Sequence, residues 1–194
     1  MDIAERGEPL PVELMNTIRA DRTGLHDSLA TQEEALGWLS AALPPAPDRV
    51  DLDRLRLLRD ALRRLAAERT GDPREAAESA VPTRGAALRV LNEACADAPT
   101  WSSLRWAPGE APVREIRSDA PPDRVLLATL AEQAVRFLTG PEAAQLRACL
   151  APGCVLYFVR HHPRREWCSA SCGNRARVAR HYRRNRGTGR LLGT

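Results

Sequence analysis

Four of the five cysteines in this chain fall inside one 24-residue window, as Cys149, Cys154, Cys168 and Cys172. Four residues separate the first pair, three separate the second, and thirteen lie between the pairs. A tetrahedral ion asks for this arrangement, because each close pair spans one edge of the tetrahedron while the intervening chain returns for the other edge. Thiolates suit zinc or an iron–sulfur centre; nothing nearby suggests electron transfer, so one structural Zn2+ is the expected cofactor. Four protein ligands would leave no open coordination position for catalysis. A segment of about 45 residues with few large apolar side chains cannot hold itself together by burial alone. Structural zinc contributes on the order of 10 to 16 kcal/mol to such peptides.

The residues around the cysteines predict a treble-clef-like module of knuckle, β-hairpin and helix. Val155 to Val159 is an apolar β-like run, His161, His162 and Pro163 form a turn, and Arg165 to Trp167 is the return strand. From Cys168 to Asn185 the chain lacks proline and reads as a helix. At 3.6 residues per turn, Cys168, Cys172, Arg175, Val178, Ala179 and Tyr182 share an inner face. Arg177, Arg180 and Arg184 then lie opposite, with Arg183 on the flank. Trp167, Gly173, Asn174 and Arg175 are expected to build the structure around the ion: Trp167 as cover, Gly173 letting backbone amides approach a thiolate, Arg175 as a brace. Arg164 and Arg165 join the outward arginines as candidate nucleic-acid contacts, and His161 and His162 are placed in solvent or facing phosphate.

The chain has 194 residues, 43% hydrophobic, with a net charge of +4. Eleven Arg and one Glu lie between Arg147 and Thr194, so that segment carries +10 and residues 1–146 carry −6. Such halves suit different partners. All 29 basic residues are Arg, none Lys. No run approaches the roughly 18 apolar residues of a membrane helix, and Asp2 and Glu5 do not fit a signal peptide, so a soluble cytoplasmic protein is expected. Five cysteines without an export signal then read as thiols or thiolates, with Cys95 a small buried hydrophobe.

Upstream of the cysteines the pattern is mostly α. Thr31 and Glu34 form a capping box before Leu36, Leu39 and Ala42, and Pro44, Pro45 and Pro47 end that helix. Asp51 caps a second helix striped by Leu52, Leu55, Leu58, Leu62 and Leu65, with Arg and Glu on its other side, closed by Gly71. Asp72 and Pro73 restart a short helix, and Thr83 caps another with Leu88, Leu91 and Ala94. Leu104 to Trp106 and Val113 to Arg117 make a hairpin around Pro108 and Gly109. Pro121 and Pro122 open a helix bearing Leu127, Leu130, Ala131, Ala134, Phe137 and Leu138, broken at Gly140 and Pro141. Leu10 to Ile18 fits either a buried strand or a first helix. Its Asn16 either caps local backbone or lines a ligand pocket. The domains are therefore 1–145, mostly helical; 146–190, the zinc module; and 191–194, a tail.

Cys172-Gly173-Asn174-Arg175, preceded by Arg165 through Ser169, resembles the CGNR zinc finger family. Leu10 through Ile18, the stretch from Asp27 to Trp38, and Leu91 with Asn92 resemble the ABATE domain that accompanies it. The resemblance implies a bacterial stress-induced transcription regulator, with zinc on Cys149, Cys154, Cys168 and Cys172. The chain departs from the family pattern at Val159 through Pro163, where an Asp-containing turn is usual.

The leading expectation is a DNA-binding transcription regulator whose helical domain senses a signal or forms a homodimer. The small-molecule effector stays unidentified. An RNA-binding module, or an adaptor whose Arg face docks on an acidic partner, remains open. An enzyme is not expected: there is no nucleophile–base pairing, no phosphate-cradling glycine loop, and three of the four His lie in the basic C-terminal segment. His26 with Asp21 and Asp27 reads as a turn or cap.

Overall fold

The computed structural model describes residues 7–21, 23–44, 47–74 and 79–188, with backbone alone for 185–188. Three helices begin where a side chain satisfies one of their first free amides. α2 (Gln32–Ala42) opens at Thr31, whose hydroxyl oxygen accepts from the Glu34 amide at 3.2 Å. α3 (Leu52–Thr70) opens at Asp51, whose carboxylate accepts from the Arg54 amide at 3.1 Å, and α4 (Arg84–Ala96) opens at Thr83 in the same way. α3 ends at Gly71 in the left-handed region (φ +59°), a conformation cheap only for glycine. α5 (Pro122–Thr139) starts on Pro121 and Pro122, whose fixed φ suits a first turn. The open segment at Leu10 resolves as a short helix, α1 (Leu10–Met15).

α3 packs on α4 and α4 on α5, while α1 wedges against α3 and α5. Leu14, Met15, Leu55, Leu58, Leu62, Leu91, Leu130 and Phe137 fill the space between them. Each fully buried side chain of this size contributes about 1.5–3 kcal/mol. Leu146, Tyr157 and Val159 of the C-terminal segment belong to the same core, so apolar packing runs without a break from the helical half into the cysteine module.

Several expectations are corrected. Arg59 and Arg63 of α3 are 4% and 3% exposed, on the inner side with the leucines. They are tolerated there because distant segments supply acceptors: Asp27 for Arg59 at 2.6 Å and the Met15 carbonyl for Arg63 at 2.9 Å. Leu88 is 40% exposed, so Ala87 and Leu91 carry the inner face of α4. Residues 72–74 are not helical, and the rest of the short helix expected after Asp72 and Pro73 falls on 75–78, outside the described residues. Pro45 and the 191–194 tail lie outside the described residues.

Two hairpins stand in the N-terminal half where one was expected. β1 (Ile18–Ala20) pairs antiparallel with β2 (Leu25–Asp27), and β3 (Trp101–Arg105) with β4 (Val113–Arg117). After a 3-10 turn (Pro141–Gln145), β5 (Leu146–Ala148) pairs antiparallel with β6 (Tyr157–Val159) in the register Leu146↔Val159. This corrects the module: the partner of β6 precedes the first cysteine, and Arg165–Trp167 forms no strand. The knuckle is itself the hairpin's turn, and the Cys149 amide extends the ladder to the Leu156 carbonyl at 2.9 Å. α6 (Ala170–Thr188) closes a mostly helical protein with small hairpins. Among the described residues no helix is long and apolar enough to cross a membrane.

Replacing Asp51 with Ala removes the α3 cap without touching the core; urea denaturation should show a loss of about 1 kcal/mol with the slope of the transition unchanged.

Candidate metal centre

β5 delivers Cys149 and the turn after it brings back Cys154, whose amide donates to the Ala151 carbonyl at 2.9 Å. Gly153, at φ +71°, supplies the left-handed step that this tight turn requires. On the other side, Ser169 starts α6: its hydroxyl accepts from the Cys172 amide at 3.2 Å and its carbonyl from the Gly173 amide at 3.1 Å. Cys168 therefore sits just before the helix and Cys172 in its first turn. All four sulfurs lie within 4.8 Å of one another and all four residues are buried. Cys154 Sγ is 3.8 Å from Cys168 Sγ, which is 3.4 Å from Cys172 Sγ. A zinc ion with four sulfurs at about 2.3 Å requires sulfur–sulfur edges of about 3.8 Å. Donor type, number and spacing thus fit one structural Zn2+, which neutralises thiolates and fixes the chain and has no open position for substrate.

Hydrogen bonds from Cys149, Cys154 and Cys168 drive Cys172 far below the ordinary thiol range, and Cys149 falls to about 6 through bonds with Cys154 and Cys168. Cys154 and Cys168 move up, each mainly through its bond with Cys149. Arg175 Nη2 donates to Cys172 Sγ at 2.9 Å, and that bond raises the pKa of the guanidinium. A cation thus stands beside Cys172, and binding zinc to the four thiols releases their protons.

Trp167 packs against the cluster. The absence of a side chain at Gly173 makes room for it, since a Cβ there would stand 3.0 Å from Trp167 Cδ1. The Gly173 amide is used within α6, on Ser169, and not on a thiolate. Asn174 is exposed, lining an open cleft with Arg175 against the β1–β2 hairpin.

Residues 8–141 match the model of the ABATE family, described as "Putative stress-induced transcription regulator", and residues 145–185 match that of the CGNR zinc finger. The chain belongs to the ABATE family. It is a zinc-binding regulatory protein built from an ABATE domain and a CGNR finger, both non-catalytic types. No curated protein matches it.

The ABATE domain holds the finger by its backbone. Arg74 Nη1 donates to the carbonyls of Cys149, Cys154 and Leu156 at 3.0, 3.0 and 3.3 Å. Arg63 reaches the Val155 carbonyl at 3.3 Å. Both guanidinium groups stack over the Tyr157 ring, at 5.4 Å for Arg63 and 5.1 Å for Arg74. Asp72 accepts from Arg74 Nε at 2.7 Å and from the Tyr157 hydroxyl at 2.8 Å. Burial alone would raise the Asp72 carboxyl, but these hydrogen bonds outweigh it and hold it below the usual range. Burial, reinforced by Asp72, pushes Tyr157 up to about 12. Asn16 grips both backbone groups of Tyr157, donating to its carbonyl and accepting from its amide at 2.9 Å each. Its amide is therefore spent across the domain seam, and neither a local cap nor a ligand pocket describes it.

Arg165 is corrected in the same way. It pairs with Glu8 at 2.5 Å, donates to the Val159 and Cys168 carbonyls, and lies over Phe158 at 5.1 Å. Glu8 also accepts from the Val159 amide at 2.8 Å. Arg165 clamps the finger, its two Nη atoms taken up by Glu8 and the two carbonyls. Of the residues that make this seam, Glu8, Arg63, Asp72, Arg74 and Tyr157 were not anticipated; only the position of Arg63 beside an apolar stripe signalled one of them.

Arg164, Arg177, Arg180, Arg183 and Arg184 are all exposed. The inner face of α6 ends sooner than the helical wheel indicates: Ala176 is buried, but Val178 is 47% and Tyr182 66% exposed. Past Ala176 the helix projects beyond the body that its first turn packs on. Among the described residues no carboxylate pairs with Arg177, Arg180 or Arg183.

Cys172→Ser should reduce bound zinc, measured by elemental analysis, from one per chain to a small fraction. Because the finger shares its core with the ABATE domain, thermal melting of the whole chain should shift down. Asp72→Asn leaves Arg74 buried without its counter-ion and should cost about 3–5 kcal/mol. Since the folded Asp72 has a lowered pKa, its contribution is complete above the unfolded value near 3.9 and is lost as pH falls through the folded one. Chemical denaturation below about pH 4 should show the wild-type advantage over Asp72→Asn shrinking with falling pH.

Proposed function

We propose that this protein is a DNA-binding transcription regulator that inserts the outward face of α6 into the major groove. The observation that carries the reading is the exposed arginine row, Arg177, Arg180 and Arg184, on a helix whose first turn is fixed by the zinc ligands. Spacings of three and four residues put these side chains on one face, a row of like charge that suits a polyanion. Arginine presents a fork that matches phosphate oxygens and the O6/N7 edge of guanine, and a helix fits the B-form major groove. The −6 carried by residues 1–146 turns the rest of the molecule away from a phosphate backbone, so the duplex meets the protein at the finger.

In this reading the ABATE domain senses a signal or mediates dimerisation in the bacterial cytoplasm. The open cleft of about 1010 Å3 between the β1–β2 hairpin and the start of α6 is its candidate effector site. A change there has a short path to α6, because Cys154, Cys168, Cys172 and Arg175 line the same cleft.

Titration of the zinc-loaded protein into labelled duplex DNA should give log K falling with log salt at a slope of about −5 for roughly six phosphates. Arg177→Gln with Arg180→Gln should flatten that slope by about two and weaken binding at every salt. The absence of salt-dependent binding to any duplex would sink the reading. Preferential binding of structured RNA would move it to an RNA-binding module, and salt-dependent self-association without nucleic acid to an adaptor.

A further inference from the structure

Arg147 and Arg160 lie outside the zinc helix and outside the seam. Opposite residues of an antiparallel pair share a face, and Arg147 stands opposite Phe158, so Arg160, two residues on, points to that same face. There the two arginines border a shallow groove of about 280 Å3 whose other walls include Leu150, Phe158, Glu166 and Trp167. Arg147 is held in place, its Nη1 donating to the Ala144 and Leu146 carbonyls at 2.9 and 2.7 Å. Its Nε and Nη2, and the whole Arg160 guanidinium, make no bond among the described residues. Leu150, 54% exposed, adds an apolar surface beside these donors.

The groove is continuous with α6. Trp167 is its wall, and on the α6 side both Trp167 Cδ1 and Arg177 Nη1 lie close to Gly173, at 3.0 and 3.6 Å from where its Cβ would be. The basic surface therefore runs from the arginine row of α6, past the Trp167 indole, to Arg147 and Arg160. Glu166 is the one carboxylate lining the groove.

We propose that Arg147 and Arg160 form a second phosphate-binding pair that grips the DNA backbone flanking the segment entered by α6. The inference rests on the DNA-binding reading above. Two donor-bearing side chains with free N–H groups beside an apolar wall match a phosphate followed by a deoxyribose. A helix seated in a groove brings a neighbouring backbone strand against the protein body. Duplex DNA is favoured over duplex RNA because the deep, narrow major groove of A-form RNA does not admit the helix that sets this geometry. The pair fixes register and carries no sequence information.

The test compares full-length, zinc-loaded wild type, Arg147→Gln/Arg160→Gln and Glu166→Gln on one labelled duplex across a salt series, with thermal melting of each protein. The double variant should flatten the salt slope by about 1.8 and weaken binding on the order of tenfold near physiological salt. Glu166→Gln keeps both arginines and removes the negative charge at the groove; its affinity should rise severalfold, which covers the case of a double variant that does not fold. Wild-type slope and affinity in a folded double variant, or no gain for Glu166→Gln, would overturn the second pair while leaving α6 binding intact. Failure of the wild type to bind any duplex would overturn the DNA-binding reading itself. Displacement of the duplex by structured RNA at lower concentration would overturn the assignment to DNA.

Discussion

Buried backbone carbonyls must find donors. Here four of them, on Cys149, Cys154, Val155 and Leu156, are reached by guanidinium groups of the ABATE domain. One Arg74 nitrogen serves three carbonyls because the fork is planar and rich in N–H groups. Burying that charge is unfavourable, and Asp72 with the Tyr157 ring and hydroxyl offsets the cost. The finger is thus no separate bead. Its backbone polarity is satisfied by α3 and the segment after it, and its Leu146, Tyr157 and Val159 complete the helical core.

What could be seen in the sequence divides along one line. Features set by neighbours in the chain were legible: the Thr31, Asp51 and Thr83 caps, the Gly71 stop, the β3–β4 turn, and the four cysteines whose spacing alone specifies an ion. Features set by distant partners were not. The strand that pairs with β6 comes before the knuckle, and a run such as Arg165 to Trp167 looks extended whether or not a ladder awaits it. Asp72 does accept from the Arg74 amide at 3.1 Å, but nothing local says that a tyrosine 85 residues away will also donate to it. Arg63 is the intermediate case. On a wheel of 100° per residue with Leu55 at zero, Leu62 falls near 340°, Arg59 near 40° and Arg63 near 80°. Both arginines therefore flank the apolar arc, which an exposed salt-bridged face would not require.

With no lysine in the chain, arginine serves two opposed purposes. Arg59, Arg63, Arg74 and Arg165 are buried or half-buried and saturated by carbonyls and carboxylates. Arg177, Arg180, Arg183 and Arg184 of α6 are exposed, and among the described residues no carboxylate pairs with the first three. Composition cannot separate these sets; accessible acceptors do. The same distinction moved Arg165 from the surface to the scaffold and left Arg160 on the surface.

The projection of α6 past Ala176 has a consequence for how the helix forms at all. From Arg177 to Arg184 no side chain is buried and four are Arg, which makes a marginal helix in water. The expensive step in any helix is its first turn, and here that turn is built from Ser169, Cys172 and Gly173 on the metal cluster. The ion therefore does more than orient the arginines. Held by the four thiolates, it would fix the helix nucleus from which the later turns propagate.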